Sequence, residues 1–554
     1  MKHAFAIPAI EDPVMTTMHN VSDAAPKGSA PPRGALRGPA HVVCAALVAV
    51  ALSSVIMLET GWAQPGNAGP GMEARIKTAA PQLETYIADG MKAFDVPGLA
   101  IGIVSGDRLV YAKGFGVRSK AGGAPIDTRT VFQIGSLAKA FLATTMAIAV
   151  DRGQLRWDDR VIDLHPAFQL KDAWVTREFR AFDLLAQRSG LPPYVNDLLG
   201  SLGYDEAALI RSLRYVEPVS SFRSTFAYIN IPHLLAGRIV AGLQGAPDWN
   251  AVARRELLDP LGMTDTSFTA DAIKAAPNHA EGHRWTPERT IEVPFDPLYP
   301  YAFGPAGNIN STIEDAARWV RLQLKDGTFE GRRIVTPENL AVTRTPRVGL
   351  TDAMSYAMGW LIEQTPNGPL VWHNGGTNSF GAFIGMARDR DVGVIVLSNA
   401  RNVGFPDALG LWTLDRLLGN PVVDRVGQTL TAAKAKFAAA AKPFAKPDRP
   451  RPPPALAPLA GNFTSPVFGR ATARPQDNAL VLELAETGAQ LALEPWDGEV
   501  FTVRLLPTGR FAAMVANTGD EPGGFAQFEA DKDGKLAVLR ITFSDGQAYG
   551  FRRD

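Results

Sequence analysis

The stretch FQIGSLAKAF, residues 132–141, sets a serine and a lysine three residues apart at the start of a helical pattern. Residues i and i+3 share a helical face, so the Lys139 ammonium can approach the Ser136 hydroxyl. Gly135 allows a sharp backbone turn, which places Ser136 in the first helical turn. Free N–H groups and the positive dipole end favour developing negative charge there. The pattern continues as SLAKAFLATTMAIAVDRGQL and closes at Gly153. Apolar residues surround nearly all of it, as in a helix buried between other layers. A lysine in such a helix needs a polar partner or bears a desolvation penalty. Alone, Ser-x-x-Lys is weak, since a chain of 554 residues should hold roughly one or two by chance.

Two elements farther along supply partners. Tyr228-Ile229-Asn230 lies in FRSTFAYINIPHLLAG, and His373-Asn374-Gly375 ends the strand pattern PLVWH, followed by Gly376-Thr377. Each has a bland reading taken singly. Tyr228 suits core packing, and Asn230 suits a helix cap before Ile231-Pro232. His373 suits a buried strand residue bonded to backbone, and Gly375-Gly376 a strand irregularity. In this order and at these separations, the three elements resemble the penicillin-recognising serine hydrolases. That superfamily holds class C β-lactamases, D,D-peptidases, D-aminopeptidases and related esterases. LRWDDRV (155–161), DLLAQRSGLP (183–192), PAGNINSTIEDAARWV (305–320) and YAMGWLI (356–362) extend the likeness over most of residues 90–400.

The resemblance implies acyl transfer through a covalent acyl-enzyme on Ser136. Tyr228 and Lys139 would share the serine proton, the ammonium favouring the phenolate. The backbone N–H groups of Ser136 and Gly376 would hold the oxyanion. Asn230, Gly375 and Gly376 would contact substrate, and His373 would line the site as a polar contact or proton-transfer residue. The family's β-lactamases usually carry lysine where this chain has His373, and neutral histidine gives no permanent charge for a substrate carboxylate. That departure favours D-amino-acid peptidase or esterase work over a β-lactamase proper. A slow-acylating penicillin-binding or sensor module is the alternative of another class. Asp197 is shifted from where many relatives place an aspartate.

The implied fold class is α+β: a β-lactamase/transpeptidase-like domain with an antiparallel sheet flanked by helices, plus an all-helical part. LAIGIV and RLVYAKGFG flank Ser105-Gly106-Asp107, a hairpin signature. PLVWH, SFGAFIGMA and VGVIVLSN read as three consecutive strands, so the two ends of the domain should complete one sheet. This domain should span 64–430. Residues 431–457 pass from an Ala/Lys run into proline-rich sequence, a helical tail and stiff linker. Residues 458–554 carry short alternating runs between turns, an antiparallel sheet or barrel. From LAGNFTSPVFGRATA onward they resemble the lipocalin-like barrel of one branch of these hydrolases. The linker leaves open docking on the same or a neighbouring subunit, and hence a homo-oligomer.

Lys+Arg and Asp+Glu both number 56. This balance argues against a nucleic-acid surface and leaves a small-molecule or peptide substrate as the expected partner. No motif calls for a metal or organic cofactor. His279 and His283 in NHAEGH have ligand spacing, but Pro277 and Gly282 argue for a surface loop. VVCAALVAVALSSVIML (42–58), preceded by Arg33 and Arg37, is a secretory-signal pattern with cleavage after Ala63, the start lying at Met1, Met15 or Met18. An uncleaved inner-membrane anchor competes with it. Either reading exports residues 64–554, to the periplasm or beyond. Cys44 is the single cysteine, so cleavage would leave no thiol chemistry.

Overall fold

A computed structural model describes residues 71–554. The apolar segment 42–58 and Cys44 lie outside it. Among the described residues no helix is long and apolar enough to cross a membrane.

Helix α1 (Met72–Phe94) leads into the hairpin β1 (Gly98–Ser105) and β2 (Arg108–Gly116). The buried helix α2 (Ala138–Asp151) follows, then α3 (Ile231–Leu243) and α4 (Ile313–Leu324). Six strands come next: β3 (Val348–Thr351), β4 (Met354–Tyr356), β5 (Leu361–Thr365), β6 (Gly368–Gly376), β7 (Gly381–Ala387) and β8 (Val392–Ser398). All eight form one sheet in the order β2-β1-β8-β7-β6-β5-β4-β3. Its strand pairings are antiparallel, with Leu99 opposite Ser398 where the two ends of the domain meet. Strands β1, β7 and β8 are buried at every position. Helices cover both faces, which explains why these strands read as continuous rather than alternating apolar runs.

On one face lie α1 and α5 (Phe405–Leu418). Phe94 stacks on Phe405 and Tyr86 on Trp412, with ring centroids 5.2 and 4.2 Å apart. On the other face α2 runs through the centre, buried from Ala138 to Ala149. Phe141 stacks on Trp319 of α4 at 4.0 Å, and Trp319 on Trp360 at 5.4 Å. These offset aromatic layers fix where α2 sits relative to the sheet. The short strand Gly282–Trp285 corrects the surface-loop reading of NHAEGH. His283 is fully buried, its Nδ1 2.8 Å from the Asn399 carbonyl oxygen. Its short partner strand Thr290–Val293, rather than a helix, holds it there.

After helix α6 (Arg425–Ala441) the chain enters a closed barrel. Its strands are β9 (Gly461–Ser465), β10 (Gly469–Gln476), β11 (Ala479–Leu484), β12 (Gln490–Asp497), β13 (Val500–Leu505), β14 (Gly524–Ala530), β15 (Leu536–Phe543) and β16 (Ala548–Arg553). Each strand pairs with its neighbour in sequence, and β16 closes on β9. Closure removes the free edges that an eight-stranded meander would expose. Alternation is clearest in β11, where Leu480, Leu482 and Leu484 are fully buried.

The barrel docks on its own chain's hydrolase-like part. Tyr549 Oη donates to Asn196 Oδ1 at 2.7 Å, and Tyr204 Oη donates to the Phe468 carbonyl at 2.6 Å. Helix α7 (Ala512–Thr518) brings Asn517 Nδ2 within 2.7 Å of the Pro294 carbonyl and Met514 against Asn378. Tyr549→Phe deletes the hydroxyl between barrel and loop and leaves Asn196 Oδ1 buried without that donor. The variant is expected to lose about 1 kcal/mol of stability, read as a lower urea midpoint at unchanged slope.

Candidate active site

Ser136 lies in the 3₁₀ turn Gly135–Leu137 that feeds α2. From Val131 to Ala149 every residue is buried except Ser136. A single hydroxyl thus reaches the surface from an otherwise enclosed segment. Lys139, fully buried, donates from Nζ to Ser136 Oγ at 3.0 Å and to the Ala306 carbonyl at 2.9 Å. Its Nζ also stands 4.7 Å from the centroid of the Tyr228 ring. The desolvated ammonium therefore has oxygen acceptors and an aromatic face around it.

Tyr228 is held through the backbone on either side of its ring. Its carbonyl accepts from Tyr194 N at 2.7 Å; Ala227 N donates to the Gln187 carbonyl and Ile229 N to Gln187 Oε1. Asn230 occupies the N-cap position of α3, yet its side chain makes no capping bond. Its Nδ2 donates instead to Asp197 Oδ2 at 2.5 Å. The amide is thereby committed to a carboxylate at the rim of the site. Burial pushes the Asp197 carboxyl up to about 7, against the pull of the Asn230 amide and the Lys139 ammonium; the Asp545 carboxylate of the barrel adds repulsion. Asp197 Oδ1 is buried with no hydrogen-bond partner, which accords with a carboxyl that resists ionisation.

Strand β6 closes the site from the sheet. A Cβ on Gly375 would stand 1.9 Å from the Ile134 carbonyl oxygen and 3.3 Å from Ser136 N. Gly135, at φ +51°, approaches the Gly376 backbone so closely that its own Cβ would lie 2.8 Å from Gly376 N. Glycine at both places lets the strand and the Ser136 turn lie backbone to backbone. Asn402 anchors the strand end, donating to the Gly375 carbonyl at 3.1 Å and to Asp407 Oδ2 at 2.9 Å. His373 is fully buried, with Nδ1 2.5 Å from the Asn374 carbonyl oxygen and Nε2 3.1 Å from Tyr356 Oη. Burial, reinforced by the Lys139 ammonium, pushes the imidazole down to about 3 despite the Asn374 carbonyl. It is a neutral ring with both nitrogens engaged by protein.

The structure thus gathers Ser136, Lys139 and Tyr228, lays Gly375 and Gly376 against the serine turn, puts His373 in the wall and Asn230 at the rim. Ala306, Gln187, Tyr356 and Asn402 were not singled out from the sequence. Ala306, inside the stretch PAGNINSTIEDAARWV, acts through its carbonyl, which has no side-chain signature. Gln187 and Tyr356 do lie inside the stretches DLLAQRSGLP and YAMGWLI.

The family model described as Beta-lactamase matches residues 83–418, and the chain belongs to that family of β-lactamase-fold serine hydrolases. It is 25% identical over 497 residues to unguisins hydrolase ungD of Aspergillus violaceofuscus, covering 80% of this chain and 86% of that one. It is 28% identical over 381 residues to penicillin-binding protein 4 of Amycolatopsis lactamdurans, covering 66% and 93%. Among solved structures, the octameric penicillin-binding protein homologue from Pyrococcus abyssi superposes with a TM-score of 0.55 at 20% identity, over 85% of this chain and 99% of that one. The class C β-lactamase from Rhodobacter sphaeroides gives 0.50 at 23%, over 63% and 98%. At these identities the two structures establish the fold.

Two outcomes test the geometry. Gly375→Ala forces strand and turn apart, so any activity at Ser136 should vanish, with an overpacking cost of about 1–3 kcal/mol visible in thermal melts. For Asp197 the native carboxyl titrates above its ordinary 3.8, at about 7. The native state therefore holds the extra proton, and that stabilisation, complete below the ordinary value, is lost as pH rises through 7. Asp197→Asn lacks this loss. Its stability relative to the parent chain should improve steadily between pH 5 and pH 8 in urea titrations; a flat difference would refute the assignment.

Proposed function

We propose that this chain is an exported serine hydrolase that cleaves an amide or ester bond, of a D-amino-acid peptide or small ester, through an acyl-enzyme on Ser136. One observation carries the reading: the Lys139 ammonium lies 3.0 Å from Ser136 Oγ and 4.7 Å from the Tyr228 ring centroid. Ser136 Oγ attacks the substrate carbonyl carbon, and its proton passes to the Tyr228–Lys139 pair. The carbonyl oxygen gains the negative charge, facing the N–H groups of Ser136 and Gly376. Collapse expels the leaving group, which takes the proton back. Water then attacks the acyl-serine by the same route in reverse and releases the acid.

Asn230, steered by Asp197, presents its free amide edge to a substrate carbonyl or amide. His373, held neutral, supplies no fixed charge for a substrate carboxylate, which favours peptidase or esterase work over β-lactam hydrolysis. Relatives named as a hydrolase and as a penicillin-binding protein support the acyl-serine chemistry. The octameric relative supports self-association of this chain. The apolar segment 42–58 supports export, by a cleaved signal or as an anchor.

A fluorophosphonate probe is expected to label Ser136 stoichiometrically, and Ser136→Ala to abolish labelling. A panel of p-nitrophenyl esters, D-amino-acid p-nitroanilides and nitrocefin should show turnover that falls on the order of 10³-fold or more in Ser136→Ala. Labelling without product release would instead mark a binding or sensor module.

A further inference from the structure

Tyr356, the last residue of β4, is fully buried, and its hydroxyl meets His373 Nε2 at 3.1 Å. The direction of that bond follows from the other side of the ring. His373 Nδ1 faces the Asn374 carbonyl oxygen at 2.5 Å, and a carbonyl can only accept. Nδ1 therefore carries the proton, Nε2 presents a lone pair, and Tyr356 is the donor. Burial holds the Tyr356 phenol well above its ordinary range, so the proton stays available. Having given its hydrogen to the imidazole, the phenol oxygen retains acceptor capacity. The Gln187 amide adjoins it, with its Nε2 buried and without a hydrogen-bond partner. Oε1 of the same amide accepts from Ile229 N at 2.7 Å and the Gln187 backbone carbonyl from Ala227 N at 2.9 Å, the residues flanking Tyr228. Gln187 and Tyr356 thus stand side by side between the Tyr228 segment and the strand that carries Gly375 and Gly376, and the Tyr356 ring meets the Tyr228 ring edge to face at 6.4 Å.

The same segment is tied to the lysine. Gly359, at φ +77°, lies so close to α2 that a Cβ there would stand 2.7 Å from Ala140 N and 2.8 Å from the Lys139 carbonyl carbon. The turn after Tyr356 therefore rests on the backbone of Lys139 while its tyrosine holds His373. The groups facing the imidazole are Tyr228, with ring centroids 6.2 Å apart, Tyr356 at 5.8 Å, Lys139, and the buried His233 of α3. A proton on Nε2 would turn the Tyr356 hydroxyl from donor to acceptor, and a doubly protonated imidazole would place a second cation beside Tyr228. That cation would repel the Lys139 ammonium.

We propose that Tyr356 is a positioning residue for the hydrolysis: it locks His373 in the neutral Nδ1–H form and, with Gln187, holds the Tyr228 segment in register with strand β6. The role rests on the acyl-serine reading above. It acts through other residues, since Tyr356 is enclosed and meets the site only through His373 and, edge to face at 6.4 Å, the ring of Tyr228.

The full chain, labelled with ¹⁵N-histidine and with His373 assigned from a His373→Gln sample, tests this directly. The parent protein is expected to show a protonated Nδ1 and a hydrogen-bonded, unprotonated Nε2 from pH 5 to pH 8. In Tyr356→Phe the Nε2 resonance should move toward the free imine position. Acylation by a p-nitrophenyl ester should slow about 10- to 100-fold, with KM changed less than about twofold, as expected of displaced reacting groups. A parent spectrum with the proton on Nε2 overturns the proposal even if Tyr356→Phe does not fold. An inactive Ser136→Ala beside a fully active Tyr356→Phe overturns the positioning role alone. Activity that survives Ser136→Ala removes the hydrolase reading and the role with it.

Discussion

A buried ammonium governs this molecule. Lys139 has no exposed surface, and an unpaired cation so placed would be prohibitively costly. Its acceptors come from widely separated parts of the chain: the hydroxyl one helical turn back, the Ala306 carbonyl and the face of the Tyr228 ring. The loop bearing Ala306 and the loop bearing Tyr228 must therefore be in place for α2 to be stable where it is. Solvation of one charge and the gathering of Ser136, Lys139 and Tyr228 are the same event.

The surrounding architecture holds these loops to the tolerance such an arrangement needs. The layered rings of Phe141, Trp319 and Trp360 fix α2 against the sheet. Gly375 and Gly376 bring the sheet to the serine with nothing but backbone between. Asn402 secures the strand end, and Gln187 secures both neighbours of Tyr228. Each fixes main chain rather than substrate, so the reactive side chains inherit their positions from backbone hydrogen bonds.

Much of this was legible in the sequence because its signals are local. Ser136 and Lys139 share a helical face, strands buried on both sides spell continuous apolar runs, and the barrel strands alternate. Glycine beside His373 and before Ser136 marked close approach without saying to what. The illegible parts are those set by tertiary context. The Ala306 carbonyl is an acceptor only because a distant loop folds over Lys139. Asn230 looked like a helix cap, and its amide turns instead to Asp197, whose burial depends on how its loop packs. His283 sat among loop-forming residues, and a two-stranded ribbon buried it. That the barrel docks on its own chain through Tyr549 and Tyr204 follows from surfaces, which periodicity does not describe.

The sheet order has a consequence for how the molecule comes into being. Strand β1 leaves the ribosome first, and its neighbour β8 emerges only about 300 residues later, since Leu99 waits for Ser398. Ser136 likewise appears long before the strand that must lie against it. Until that strand arrives the Gly135–Ser136 turn has no Gly375–Gly376 backbone to lie against, so the geometry around the hydroxyl is completed only when the sheet closes.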